Sequence, residues 1–364
     1  MSALASPQIS RPDLAARWEK TRARLFSSPV NSVVTILASA LILWITAALL
    51  RWAVIDAAWS GGPEKCKAHS GACWPFVWTN ARLMFFGTYP TEMLWRAATS
   101  LVLMFALVIV SMAPRLWGRA LVLAWIATPV AVCLLLGGFL SGRTVSTNEW
   151  GGLPLTMLIW TIAFAGAFVL AIPLALARRS RMGGVRLASV AFIELVRGVP
   201  MLVALYVSRF IVPMAAPGFE INLFFSVSVA LVVFVASYLA EIIRAGIQAL
   251  PAGQSEAARA LGLGYWRTMQ LVILPQALRA VIPALVNLGI GVLLSTPLVA
   301  VIGMTDFLSA AKEAASHEQE WPGCYNVAYF VIALVFFGIC FSASRYSQWL
   351  ERHLRAGGNV QVNA

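Results

Sequence analysis

Three small groups of residues in this 364-residue chain have types and spacings that could do chemistry. The first is Cys66-x2-His69-x3-Cys73. No fourth ligand lies nearby and the spacing matches no zinc pattern, so no metal site is assigned. In an oxidising compartment Cys66 and Cys73 are a candidate short-loop disulfide, with two free thiols as the alternative. The other groups are Glu194 with Arg197 in ELVR, and Glu241 with Arg244 in EIIR. Their i, i+3 spacing puts each pair on one helix face. Local ion pairing at a membrane surface accounts for both pairs without a ligand.

Other chemistry is not visible. The chain has no G-x-x-x-x-G-K-[ST] loop to cradle phosphates, and no H-E-x-x-H or G-x-S-x-G. His69, His317 and His353 are scattered over expected loops and the tail. Cys133 and Cys340 sit inside apolar runs, as small hydrophobes do, and Cys324 has no evident partner. The expectation is a non-catalytic chain that binds no cofactor or metal of its own.

The elements that position these residues are membrane helices. Only 12% of residues are charged and 60% are apolar, against about a quarter charged in soluble domains. Runs near the roughly 20 residues needed to cross hydrocarbon lie at 33–50, 97–112, 120–140, 153–177, 195–212, 223–243, 280–302 and 327–343. They are too long for barrel strands, and an open sheet edge has no place in lipid. The fold class is therefore all-α, with about eight transmembrane helices.

Charge placement orients the bundle. With the N-terminus inside, 18 of the 27 Lys and Arg fall in cytoplasmic segments and 7 outside, while Arg197 and Arg209 lie within the fifth run. That bias follows the positive-inside rule and puts both termini in the cytoplasm. The net charge of +12 thus reflects topology, not nucleic-acid binding. The first run is too long for a signal-peptide core and no A-x-A-like site follows it, so it reads as a retained helix. Four parts result: a basic tail at 1–30, three helices with an outside loop at 31–140, a five-helix part at 141–350 and a short tail at 351–364.

One polar segment breaks the apolar pattern, SEAARALGLGYWRTMQLVILP at Ser255–Pro275. Ser255 is placed as N-cap with Glu256 in the first turn, and Gly262 and Gly264 then interrupt the helix. A second helix is expected over 265–274, closed by Pro275. This helix–bend–helix could dock another protein through its alanines or lie on the membrane surface through Trp266 and Arg267.

The segment resembles the cytoplasmic EAA signature of ABC-importer permeases. Glu256, Ala257, Ala258, Gly262, Leu274 and Pro275 match, with Val272 in place of the isoleucine. IELVRGVP at 193–200, SYLAEIIRAGIQALPAGQSEAARALG at 237–262 and LPQALRAVIPALVN at 274–287 are similar to the polar amino-acid uptake group, over about 151–349. The added N-terminal helices resemble the longer permease of its general L-amino-acid branch. Where the family reads K-D-T-S-L, this chain has Leu294, Ser295, Thr296, Pro297 and Leu298, so the usual Lys and Asp are missing.

The resemblance implies an inner-membrane permease subunit for polar or broad-range L-amino acids. It implies three kinds of partner: a cytoplasmic ABC ATPase dimer carrying ATP and Mg, a second related permease, and a periplasmic amino-acid-binding protein. The elbow would couple to the ATPase. Asn287, Ser295 and Thr296 are the polar residues nominated for the substrate path, with interhelical hydrogen bonding as their plainer role. The alternative function is a self-sufficient secondary transporter of small polar solutes. It is disfavoured because no acidic group lies near mid-membrane.

Overall fold

The computed structural model describes residues 14–139, 142–215, 218, 221–316, 321 and 323–360. Ser141, where the expected five-helix part begins, and His317 lie outside the described residues, as does the side chain of His353. The chain forms two compact units, divided after Phe76.

In the first unit, α1 (Leu14–Leu25) carries Arg22 and Arg24 in its last turn. α2 (Pro29–Leu50) starts where Ser28 accepts from the Asn31 amide and Pro29 needs no partner for a missing N–H. It runs through a π-turn at Arg51–Ile55, giving a 27-residue span. The following loop holds α3 (Pro63–Ala68) and folds back through an Ala58–Cys73 bridge. Trp59 stacks on Trp74 at 5.6 Å, and the Trp74 indole donates to Ala53 O at 2.9 Å. Cys66 and Cys73 are bonded through sulfur, with Cα atoms 5.4 Å apart. The His69 ring nitrogen Nδ1 lies 2.8 Å from Lys65 O.

α4 (Trp74–Phe86) crosses the division between the units. The second unit continues with α5 (Leu94–Ser111) and α6 (Arg119–Gly137), which pack as a hairpin against α7 (Gly152–Arg178). After α7 come α8 (Gly183–Gly198), α9 (Met201–Tyr206), α10 (Val212–Ala215) and α11 (Leu223–Ala249). They are followed by α12 (Ala252–Ala260), α13 (Tyr265–Thr268), α14 (Leu274–Ser295), α15 (Phe307–Ala315) and α16 (Tyr325–Val360).

The core is the α7–α11 contact. Ala163, Ala167, Ala171 and Ala175 recur every four residues on α7 and are fully buried. Small side chains let helix axes approach closely where apolar burial alone provides no drive in lipid. At the head of α7, Gly152 sits at φ +65°, and a Cβ there would meet the Phe85 carbonyl. Only glycine fits both constraints.

Among the described residues seven helices can cross a membrane, or eight if the bent pair α8 with Met201–Ala215 counts as one span. Three expectations need correction. The fifth run is not one helix from Leu195: the chain turns by 103° between Gly198 and Met201, because Val199 precedes Pro200 and is driven out of helical conformation. The second run is a full span of 21 residues, Thr91–Ser111. Its start was hidden by Arg96, which is buried and donates to Arg143 O at 3.1 Å. The last helix extends to Val360, well past the expected boundary at 343.

α15 was not expected. Asp306 caps it, accepting from the Leu308 and Ser309 amides at 3.1 and 3.0 Å, and the segment is pinned to α7 by Gly152 N–Thr305 O and Phe307 N–Thr156 Oγ1, each 2.9 Å. Asp306 is fully buried, and burial lifts its carboxyl above the usual range despite the bonds from Ser309 and Leu308. A carboxyl whose folded pKa is raised holds its proton longer when folded. Its contribution to stability therefore falls as pH rises from the unfolded value through the folded one. Asp306→Asn keeps the cap acceptor and is expected to flatten that fall, whereas Asp306→Ala costs about 1–2 kcal/mol. Thermal unfolding in detergent across the acidic range measures both.

Candidate functional site

α12 begins at Ala252 behind Pro251, one turn before the expected start. Pro251 fixes the entry, so Ser255 is not the N-cap; its hydroxyl donates to Ala252 O at 2.8 Å. Glu256 consequently lies beyond the first turn. The helix closes as a Schellman motif: Gly262 N bonds Arg259 O at 2.9 Å and Leu263 N bonds Ala258 O at 3.1 Å. Gly262 takes φ +77°, the left-handed conformation this closure requires, and no atom lies within 4 Å of where its Cβ would stand.

Beyond the bend the chain does not stop at Pro275. α13, a π-turn at Met269–Ile273 and α14 form one helix that continues to Ile302, 38 residues in all. Pro275 sits in the first turn of α14, immediately after the widened turn that absorbs its missing donor.

The elbow's residues divide by exposure. Ala258 is buried at 3% and anchors α12, whereas Glu256, Ala257 and Gly262 are exposed. Leu274 is half-buried and Pro275 exposed. Gln276 reaches back from α14 to Gln254 Oε1 at 3.2 Å and to Val272 O at 2.9 Å, strapping α12 to the long helix. Leu261, Tyr265, Trp266 and Leu271 project around the bend with more than half of each exposed. The glutamine strap is not a motif residue; the only sequence signal was a glutamine directly after Leu274-Pro275.

Asn287, Ser295 and Thr296 are not brought together. Asn287 is exposed on α14, and the Ser295 hydroxyl donates to Gly291 O at 2.8 Å. Thr296 is 1% exposed and donates to Leu293 O at 2.7 Å. There the helix tightens into a 3-10 segment, Thr296–Ile302, with Pro297 in its first turn. Leu294 is exposed.

Towards the end of α11 that leads into the elbow lies a charged network that sequence spacing described only in part. Glu241 pairs with Arg244 at 2.9 Å as expected. Glu194 and Arg197, however, pair with neighbouring helices: Glu194 with Arg178 at 2.8 Å, and Arg197 with Glu241 at 4.0 Å. Arg178 Nε also lies 3.1 Å from Glu241 Oε1, and the Arg197 guanidinium sits 5.1 Å from the Tyr238 ring centroid. The ends of α7, α8 and α11 are thus tied at one carboxylate. Among the described residues no group of three or more His, Cys, Asp or Glu could hold a metal.

Comparison with known proteins extends this picture. Residues 167–356 match the family model of the binding-protein-dependent transport system inner membrane component. The chain is 41% identical to an inner membrane amino-acid ABC transporter permease protein (YhdY) of Escherichia coli K12, over 96% of this chain and 98% of that one. It is 31% identical to the glutamate/glutamine/aspartate/asparagine transport system permease protein BztC of Rhodobacter capsulatus, over 94% of each. A crystal structure of an amino acid ABC transporter with histidines is 33% identical over 56% of this chain and 92% of its own, with TM-score 0.49.

The side chain of Glu241 is only 14% exposed, and its loss leaves Arg244 without its carboxylate and Arg178 with Glu194 alone. Glu241→Gln is expected to cost about 3 kcal/mol. Glu194→Gln, at a side chain 57% exposed, should cost under about 1 kcal/mol. Denaturation midpoints in detergent measure the difference.

Proposed function

We propose, for a chain that belongs to the family of binding-protein-dependent transport system inner membrane components, that the Gly262 elbow is the handle through which a separate ATPase drives transport. The chain is a multi-pass inner-membrane permease subunit of an amino-acid ABC importer. The observation that carries the handle is continuity: α12 is strapped by Gln254–Gln276 to a single helix that runs from the bend across the membrane. Force applied at the exposed Glu256–Ala257 face moves that helix as a unit.

The partners follow from this reading. A cytoplasmic ATPase dimer binds ATP and Mg, and this chain hydrolyses nothing. A second, related permease completes the pathway, and a periplasmic binding protein delivers the amino acid. Both termini lie in the cytoplasm, the side to which the basic residues are biased. The Cys66–Cys73 loop then faces the periplasm, where its bond persists. Polar L-amino acids, including the acidic and amide classes named for one relative, are the substrate class. Asn287 is the path residue best placed to meet one, because its side chain is exposed on the long helix.

In vesicles reconstituted with the partner ATPase, the second permease and the binding protein, amino-acid uptake should require ATP hydrolysis and survive collapse of the proton gradient. Gly262→Asp should reduce uptake to background while membrane insertion is unchanged, because a charged side chain at the bend blocks docking. Undiminished uptake by that variant would remove the elbow from the mechanism, and uptake without ATP would overturn the importer assignment.

A further inference from the structure

α1 hardly packs on α2, and every side chain described on it is exposed. Trp18 is 68% exposed and Leu25 44%, as is 49% of Phe26 just after it. A helix of 12 residues is marginal in water on its own, so a covering surface is called for. Its sequence, LAARWEKTRARL, carries four cations and one carboxylate. Trp18 and Leu25, seven residues apart, share one stripe of the helix. Arg22 and Arg24 fall on either side of that stripe, and Ala23 falls on the opposite face.

The junction with α2 decides where this helix lies. Asn31 Nδ2 donates to Ser27 Oγ at 2.6 Å, and Thr35 Oγ1 donates to Leu25 O at 2.8 Å. In one continuous helix residues 25 and 35 would stand about 15 Å apart, so the chain folds back at 26–28 and α1 does not extend the α2 axis into water. Nor does it run down α2 into hydrocarbon, where its cations would be costly and the two helices would pack along their length. The course left is along the membrane surface. The span opened by α2 has 27 residues, about 40 Å at ~1.5 Å per residue, against a hydrocarbon core of ~30 Å. Its ends therefore reach into the headgroup layers, and α1 departs from one of them.

We propose that α1 is an interfacial anchor that lies in the headgroup layer, with Trp18, Leu25 and Phe26 turned to the acyl boundary and Arg22 and Arg24 on the phosphates of anionic phospholipids. Two observations choose this occupant. The folded junction holds the end of α1 at headgroup depth, and an excess of cations beside a bulky apolar stripe complements an anionic lipid surface. Arginine stems cover apolar surface while their heads stay at the phosphates. The anchor holds for either leaflet and does not rest on the coupling role proposed for the elbow.

The experiment uses the full chain in lipid nanodiscs, with Cys133, Cys324 and Cys340 replaced by alanine and a nitroxide attached through Trp18→Cys or Ala23→Cys. In discs of phosphatidylcholine mixed with phosphatidylglycerol, the label at 18 should meet dissolved oxygen and the label at 23 a water-soluble nickel chelate, with accessibility ratios that differ several-fold. Pure phosphatidylcholine should shrink that contrast several-fold, as should Arg22→Glu with Arg24→Glu, which keeps good helix formers. Equal ratios at 18 and 23 in the anionic discs would overturn the proposal. So would a contrast that neither phosphatidylcholine nor charge reversal reduces, or one that arises only when the ATPase is added, which would make α1 a protein-docking helix. On the unaltered chain, amide hydrogen exchange over 14–25 should slow several-fold when phosphatidylglycerol is present. If the labelled variants do not insert, that exchange decides, and equal rates in the two kinds of disc would overturn the anchor.

Discussion

Pro275 removes one amide from a helix that, in the proposed mechanism, carries force. A proline in a helix interior ordinarily leaves a carbonyl without its donor and kinks the chain. Here the turn immediately before it widens, with the Leu274 amide reaching Met269 O, and the helix passes from Tyr265 to Ile302 without a break. At ~1.5 Å per residue that is a rod of about 57 Å. Its near end is the elbow and its far end the 3-10 segment behind Ser295. In the proposed mechanism the rest of the architecture holds still while this rod moves.

The holding is done by two different kinds of contact. Within the membrane, α7 and α11 approach closely enough that a Cβ at Gly166 of α7 would meet the Val232 side chain of α11, a contact built on close approach and therefore intolerant of sliding. At the end nearer the elbow, Glu241 binds arginines from α7, α8 and its own helix. α12 is held differently, by one buried alanine and a pair of neutral glutamines. Neutral side-chain bonds are weaker than charge-assisted ones, which suits the shift of the elbow against the clamp that the proposed mechanism requires.

The sequence made the bend legible because two glycines in a run of strong helix formers have few other uses. It also gave the membrane class, since composition and run length leave no alternative fold. It failed where the deciding partner is remote. Ser255 looks like an N-cap only if Pro251, four residues earlier, is ignored. Glu194 and Arg197 look like a local pair, yet Arg178, sixteen residues back on another helix, takes the glutamate. The fifth run read as one helix because hydropathy carries no record of the Val199–Pro200 turn. α15 went unnoticed because nine residues of mostly alanine do not stand out beside spans, although Asp306 ahead of them was a usable capping signal. Thr296, nominated for the substrate path, donates its hydroxyl to the carbonyl three residues earlier, a local bond that residue type alone does not announce.

The most direct test of the handle compares two neighbouring positions whose exposure differs. Ala257 faces outward and Ala258 is buried. In native membranes engaged in amino-acid uptake, a cysteine at 257 should crosslink to the ATPase chain and the yield should change during ATP hydrolysis, while a cysteine at 258 should crosslink weakly. Active uptake with no adduct from either position would contradict the account.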